Sequence, residues 1–357
     1  MSSYKIPTLP LAKALKSSTV LDRLNLASRQ LAELKGTVRT ISNERILTNT
    51  LILREARQSS AVENIVTTQD ELYKADITIS PSVSLATKEV LRYAEALRHG
   101  FDSIRQKGVI TLSIVNEIQS KLEQNNAGIR RTPGTALKNS LTGEIVYEPP
   151  QHPDDIARYL DNLLNYINDP YIDQLDPLIK MAIIHHQFES IHPYYDGNGR
   201  TGRILNILYL VQEGLLDLPI LYLSGYIIKK KSDYYRYLQA VRDHGEWEAW
   251  ICYMLKGVEE TALHSIELVD RIRQLMQLYK RRLRQELPKV YSQDLLNNIF
   301  RHPYTKIEAV ADDLHVHKNT AATYLNKLTN IGLLTKRNIG RPIYYTNDAL
   351  IELLAEG

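Results

Sequence analysis

Apolar positions recur at helical spacing along most of this chain, so a mainly α-helical fold is expected. The most apolar stretch, Asp176–Ser190, opens with Asp176-Pro177, a capping side chain followed by proline in the first turn. Leu178, Ile179, Met181, Ala182, Ile183, Ile184 and Phe188 then cover most of the helix circumference, which places that helix at the centre of a core. After a loop at His192–Gly199, Ile204, Leu205, Leu208 and Val211 resume the helical spacing, and Gly214 can end the second helix. Strand patterning is clear in one place. Thr135–Asn139 and Glu144–Tyr147 flank Ser140-Leu141-Thr142-Gly143, and Pro149-Pro150 stop the second arm of this hairpin.

Asp270–Leu287 is again helical and carries Arg271, Arg273, Lys280, Arg281, Arg282 and Arg284, as a solvated helix between domains would. Beyond Pro288 the order changes. Ile307–Leu314, a tight His315-Val316-His317 turn and Lys318–Thr329 give helix, turn, helix. Ile331–Thr335 and Pro342–Thr346 then read as two strands around a basic turn at Asn338–Arg341. This is the order of a winged helix, with Lys318–Thr329 as its recognition helix. Residues 290–357 hold seven Lys or Arg and seven Asp or Glu, so nucleic-acid contact is compatible with this unit but not favoured, and protein docking fits it equally.

Composition narrows the classes further. A length of 357 residues suits two or three domains, and a 43% hydrophobic share excludes global disorder. A net charge of +3 is too small for a whole surface that binds nucleic acid. Cys252 is the single cysteine, which excludes a disulfide framework and a cysteine-based zinc site. No apolar run reaches membrane-span length, and Met1–Pro7 has no apolar signal core. A cytoplasmic protein without a membrane segment is expected.

The chemistry concentrates in twelve residues, His192-Pro193-Tyr194-Tyr195-Asp196-Gly197-Asn198-Gly199-Arg200-Thr201-Gly202-Arg203. Gly197 and Gly199 let the backbone approach a ligand and turn its amides inward. A helix that starts near Arg200 offers free N–H groups and the positive end of its dipole to a di- or triphosphate. Arg200 and Arg203, three apart, project from one side of that first turn and can grip phosphate oxygens. Asp196 at the loop edge can hold Mg²⁺, and His192 can take a proton from an incoming hydroxyl.

This segment resembles the signature of the Fic family, His-x-Phe-x-Asp/Glu-Gly-Asn-Gly-Arg-x-x-Arg. It matches at His192, Asp196, Gly197, Asn198, Gly199, Arg200 and Arg203, with Tyr194 in place of Phe. The resemblance runs from about Ile110 to Leu255. It implies a Fic-type helical core and transfer of AMP from ATP, with Mg²⁺, to a Ser, Thr or Tyr hydroxyl of a target protein. His192 would be the base and Asp196 the Mg²⁺ ligand. Gly197, Asn198 and Gly199, with the amides of Thr201 and Gly202, would form the anion hole, and Arg200 and Arg203 would hold the β- and γ-phosphate sides. The hairpin at 135–147 resembles the family's flap, along which a target protein docks by strand addition. Asp233–Leu238 resembles its nucleoside-side helix, with Tyr235 against the adenosine. Upstream, Ser59-Ser60-Ala61-Val62-Glu63-Asn64 resembles the Ser/Thr-x-x-x-Glu-Gly/Asn motif of autoinhibited members. Ser59 and Glu63 would share a helix face and Glu63 would pair with Arg203.

Competing readings are a de-AMPylase using the same site and a DNA-binding regulator acting through the winged helix. A zinc site at His185, Glu189 and His192 is opposed by Pro193, which ends the helix before His192 completes the face. An EF-hand at Asp196 fails because Ile207 stands where a bidentate Glu belongs. The expected organisation is an N-terminal helical region at 1–105 with the inhibitory motif at 59–64, and a catalytic domain at 106–258. A helical linker at 259–288 and a winged helix at 289–357 follow. A homodimer is compatible with this reading.

Overall fold

The computed structural model describes residues 4–13, 15–41, 43–77, 83–138, 142–338 and 343–355. Among them are fifteen helices and five short strands. The N-terminal region supplies α1 (Ser18–Val38), α2 (Glu44–Val62), α3 (Gln69–Ile77) and α4 (Leu85–Lys107). The middle adds α5 (Leu112–Glu123), the hairpin β1 (Leu137–Lys138) and β2 (Ile145–Tyr147), α6 (Pro153–Asn168), α7 (Pro177–Ile191) and α8 (Asn198–Gln212). Then come α9 (Leu223–Lys229), α10 (Lys231–His244) and α11 (Trp247–Glu286). The C-terminal unit contains α12 (Gln293–Arg301), β3 (Tyr304–Thr305), α13 (Ile307–Leu314), α14 (Lys318–Asn330), β4 (Thr335–Asn338), β5 (Ile343–Thr346) and α15 (Asp348–Ala355).

The central helix forms where the apolar pattern puts it. Asp176 Oδ1 accepts from the Leu178 amide at 2.8 Å, Pro177 occupies the first turn, and α7 is buried from Leu178 to Ile191. It packs against α6, α8 and α11, and the Trp250 indole N–H reaches the Ala182 carbonyl at 2.8 Å. A layer of α2, α4 and α5 covers the other side of α8. The α4 end is set by Gly108, whose φ of 72° supplies the left-handed residue that closes the helix.

Expectations change in places. The boundary at 258/259 falls inside α11, where Gly257 is a packing residue: a Cβ there would lie 2.8 Å from the Tyr226 ring. The stretch Asp270–Leu287, expected as a solvated helix, is the second half of α11; it buries Ile272, Tyr279 and Leu283 and leaves Arg271, Arg281 and Arg284 exposed. The strand expected at Ile331–Thr335 starts only at Thr335. Gly332, at φ 71°, donates its amide to Thr329 and turns the chain, which buries Leu333 and Leu334. In the hairpin, Leu137 pairs with Tyr147 and Lys138 with Ile145 across a bulge, while Asn139, Ser140 and Leu141 lie outside the described residues. So does most of the basic turn before β5.

The C-terminal sheet is antiparallel in the order β3-β5-β4. This unit sits on the N-terminal helices. Its α12 packs on α2, the Tyr304 and Tyr73 rings stack with centroids 6.3 Å apart, and the Tyr304 hydroxyl donates to Asp70 of α3.

Candidate functional site

The loop between α7 and α8 begins with His192 in the left-handed conformation (φ 48°, ψ 60°), one residue past the end of α7. A non-glycine residue there costs about 1–2 kcal/mol, so surrounding contacts must hold it. Within the loop the Asn198 side chain bridges the Tyr194 backbone, accepting from its N–H at 2.9 Å and donating to its carbonyl at 2.8 Å. The Tyr194 ring is fully buried and its hydroxyl donates to Asn116 at 2.7 Å, so the tyrosine anchors the loop as an aromatic residue should. Gly197 turns the chain at φ 77° and α8 starts at Asn198 without a side-chain cap. The amides of the first turn, Asn198, Gly199 and Arg200, therefore point at the loop without helical partners.

A cavity of 470 Å³ opens over this helix start. His192, Asp196, Gly197, Asn198, Gly199 and Arg200 line it from the loop side, and Glu63, Glu89, Arg92, Glu123 and Leu137 from the others. Thr201 and Gly202 do not face it. The Thr201 amide is already closed onto the Gly197 carbonyl at 2.9 Å, and a Cβ on Gly202 would lie 2.8 Å from Glu189 Oε1. Of the expected anion hole, Asn198 and Gly199 keep their place, Arg200 supplies a third free amide, and Gly202 is there to let α7 and α8 approach. Tyr235 is half-exposed on α10, edge-on to Tyr234 at 5.1 Å, and is not part of the cavity wall.

Both arginines are buried and paired. Arg203 donates through Nε to Ser59 Oγ at 2.7 Å and through Nη2 to the Ser59 carbonyl at 3.0 Å and to Glu63 Oε1 at 2.7 Å. Glu63 Oε1 also presses against Gly199, which only a residue without Cβ permits. A carboxylate thus lies over a helix N-terminus and on a guanidinium, where a phosphate would sit. Burial alone would raise the Glu63 carboxyl, but the Arg203 charge and hydrogen bond outweigh it and hold it below the usual range. Arg203 in turn is raised by that pairing, against its burial. Asn64, the left-handed residue after α2, accepts from Lys231 at 3.2 Å. Arg200 is held by Glu123 at 2.8 Å and Glu89 at 3.3 Å.

The His192 imidazole lies on the cavity wall with its Nδ1 buried, leaving Nε2 as the nitrogen that can meet a ligand. Burial, with the Arg130 and Arg242 charges, depresses its pKa to about 4, so the ring is neutral and able to accept a proton at neutral pH. Asp196 is exposed at the rim, with Oδ1 accepting from the Gly197 amide at 2.7 Å. A carboxylate beside an anion site suits Mg²⁺, which combines one or two carboxylates with phosphate oxygens. His185, by contrast, faces away, its Nε2 within 2.8 Å of the Tyr234 hydroxyl. Glu89, Arg92 and Glu123 escaped the sequence reading. They sit on α4 and α5, and no spacing near the loop points to them.

These features bring free amides of a helix start, two buried arginines and a neutral histidine to one cavity, with a carboxylate of the same chain lying over the helix start. The comparisons with known proteins agree. The model described as Fic/DOC family matches residues 109–210, and Fic/DOC family N-terminal matches 21–102. A third, described as protein adenylyltransferase SoFic-like, C-terminal domain, matches 275–350. The chain belongs to the Fic/DOC family. Among curated relatives, the protein adenylyltransferase Fic of Nematostella vectensis is 27% identical over 184 residues, which are 50% of this chain and 39% of that protein. Protein adenylyltransferase fic-1 of Caenorhabditis elegans is 29% identical over 112 residues, 31% of this chain and 20% of that protein. The chain therefore spans well under half the length of these relatives. A Fic family protein from Desulfovibrio desulfuricans shares the fold at a TM-score of 0.60 and 17% identity, covering 94% of this chain and 97% of that one. Fic-1 from C. elegans does so at 0.55 and 20%, covering 70% and 73%.

Proposed function

We propose that the chain transfers AMP from ATP to a hydroxyl side chain of a target protein, or of itself, and that Glu63 restrains this activity. The observation that carries the reading is the single cavity onto which the free amides of α8, Arg200, Asp196 and His192 converge. ATP would lie with its phosphates over the first turn of α8, the Asn198, Gly199 and Arg200 amides facing the anion. His192, neutral at physiological pH, would accept the hydroxyl proton as the oxygen attacks the α-phosphorus, and pyrophosphate would leave along the Arg200 side. Mg²⁺ held by Asp196 would supply neutralisation of phosphate charge. Chemistry of this kind is mostly positioning and charge compensation, which a rigid helix start provides.

Restraint follows from the Arg203 contacts. While Ser59 and Glu63 hold that guanidinium, it cannot grip the γ-phosphate, and the Glu63 carboxylate repels the same group. The exposed Ile145 and Val146 of β2 lie beside the cavity-lining Leu137 arm, where an extended target segment would dock along the hairpin. We read the C-terminal helices and three-stranded sheet as a winged helix, and Tyr235 as an adenosine contact reached once ATP extends beyond the cavity. We place its action in the cytoplasm; separately, no helix among the described residues is long and apolar enough to cross a membrane. The test is parallel incubation with α-labelled and γ-labelled ATP. Incorporation from the α label alone is expected, and incorporation from γ alone would overturn the reading.

A further inference from the structure

Arg130 has 0% exposure, yet among the described residues it pairs with no carboxylate. Its Nε donates to the His192 carbonyl at 2.8 Å, and its Nη2 donates to the Pro150 carbonyl and lies 3.5 Å from that of Ile191. Its own backbone N–H donates to the Pro193 carbonyl at 2.9 Å. Three consecutive carbonyls, Ile191, His192 and Pro193, thus turn to one residue that lies 61 to 63 positions earlier in the chain. The Ile191 and His192 carbonyls end α7, where helix carbonyls have no helical partners and the dipole is negative, so a cation is favoured there. The rigid guanidinium fork spans several acceptors at fixed angles, which a lysine ammonium cannot reproduce.

We propose that Arg130 is a positioning residue of the transfer reaction: it fixes the His192 backbone in its left-handed conformation, so that the imidazole points into the cavity, and ties that backbone to the end of the hairpin arm at Pro150. The second tie matters because β2 and Pro150 belong to the same arm, so an acceptor segment docked there would be registered against the base through one side chain. The role is distinct from folding in general. Arg130 touches the backbone of the base itself, and none of these contacts reaches the Asn198–Arg200 amides that face the triphosphate. Arg130 also faces the imidazole as a cation, together with Arg242 of α10, while Glu63, which caps the end of α2, is the opposing anion. Removing the Arg130 charge therefore favours the protonated ring.

The inference rests on His192 being the base, so the experiment reads both. Self-labelling with α-labelled ATP is followed between about pH 3 and 8 in the Glu63→Gly chain, alone and with Arg130→Gln, Arg130→Lys or His192→Ala added. For Arg130→Gln a rate lower by about 10- to 100-fold is expected, as for a misplaced catalytic group, with the half-saturating ATP concentration unchanged. Its acid limb should move to higher pH. Arg130→Lys keeps the charge and loses the fork, so its rate should fall while its acid limb stays in place. A rate within twofold of the parent and an unmoved limb in Arg130→Gln would overturn the proposal. Should that variant not fold, Arg130→Lys decides, and an unchanged rate there overturns it as well. Undiminished labelling in His192→Ala would instead overturn the base assignment, and the Arg130 role with it. Loss of labelling in His192→Ala beside an unaffected Arg130→Gln removes the Arg130 role alone.

Discussion

Replacing Glu63 by glycine removes the carboxylate that lies 2.7 Å from Arg203 Nη2 and against Gly199. A charge-assisted hydrogen bond of this kind contributes roughly 1.5–3 kcal/mol. The Glu63 side chain is 35% exposed, so solvent screening favours the lower end, about 1.5–2 kcal/mol. If that energy is what ATP must overcome to bind productively, its removal raises transfer about 10- to 30-fold. The Ser59 contacts to Arg203 remain in the variant and would keep part of the restraint. The assay is the initial rate of α-label incorporation in wild type, Glu63→Gly, Arg203→Ala and the double variant. Most of the gain should be lost in the double variant compared with Arg203→Ala, because the Arg203 contact carries the larger part of the restraint; the part that remains reports the carboxylate over the helix start. Acid should not substitute for the mutation in the ordinary assay range. The Glu63 pKa is depressed, so the pair is formed above the unfolded carboxylate pKa and is lost only as pH falls through the lower folded value. Equal rates for wild type and Glu63→Gly, or a full gain in the Arg203→Ala background, would refute the reasoning.

Other outcomes follow from the same geometry. His192→Ala should lower transfer by about 10²–10⁴-fold with ATP binding retained, since the imidazole handles the hydroxyl proton and not the phosphates; parallel rate and calorimetric measurements check both halves. Asp196→Ala should weaken nucleotide binding in Mg²⁺ and leave Mg²⁺-free binding nearly as it was, which titration with and without the metal will show. Glu55, 1% exposed between Tyr93 and Ser224, is pushed by burial to about 7, so it stays protonated in the fold while the unfolded carboxyl ionises. Its contribution to stability falls as pH rises through 4.5 to 7, and Glu55→Gln should gain roughly 1–3 kcal/mol over wild type between pH 5 and 7.5 in denaturant melts. Gly197→Ala should cost about 1–2 kcal/mol, because its φ of 77° and a Cβ 2.5 Å from Glu123 both oppose it; a loss below 0.5 kcal/mol would contradict the strain argument.

What the chain reveals before folding is local. Asp176-Pro177 and the apolar ring of α7 declare a central helix because cap and periodicity act within a few residues. The twelve-residue loop shows its amides and arginines for the same reason. Glu89, Glu123 and Arg130 are invisible there, since each reaches the loop from 62 to 111 residues away and carries no pattern of its own. The helix begins at Asn198 and not near Arg200, and that difference of two residues leaves the Thr201 amide bonded to the Gly197 carbonyl.

The 40 residues of α11 form a rod about 60 Å long, which starts beside Trp250 in the catalytic core and ends under the C-terminal unit. It works as a ruler. One residue inserted in it would turn everything beyond by about 100° and advance it by about 1.5 Å, tearing Tyr304 from Asp70 and Tyr73. Seven residues would nearly restore the angle yet leave α12 about 10 Å away from α2. The contacts at its two ends therefore fix the length of this helix as well as its faces.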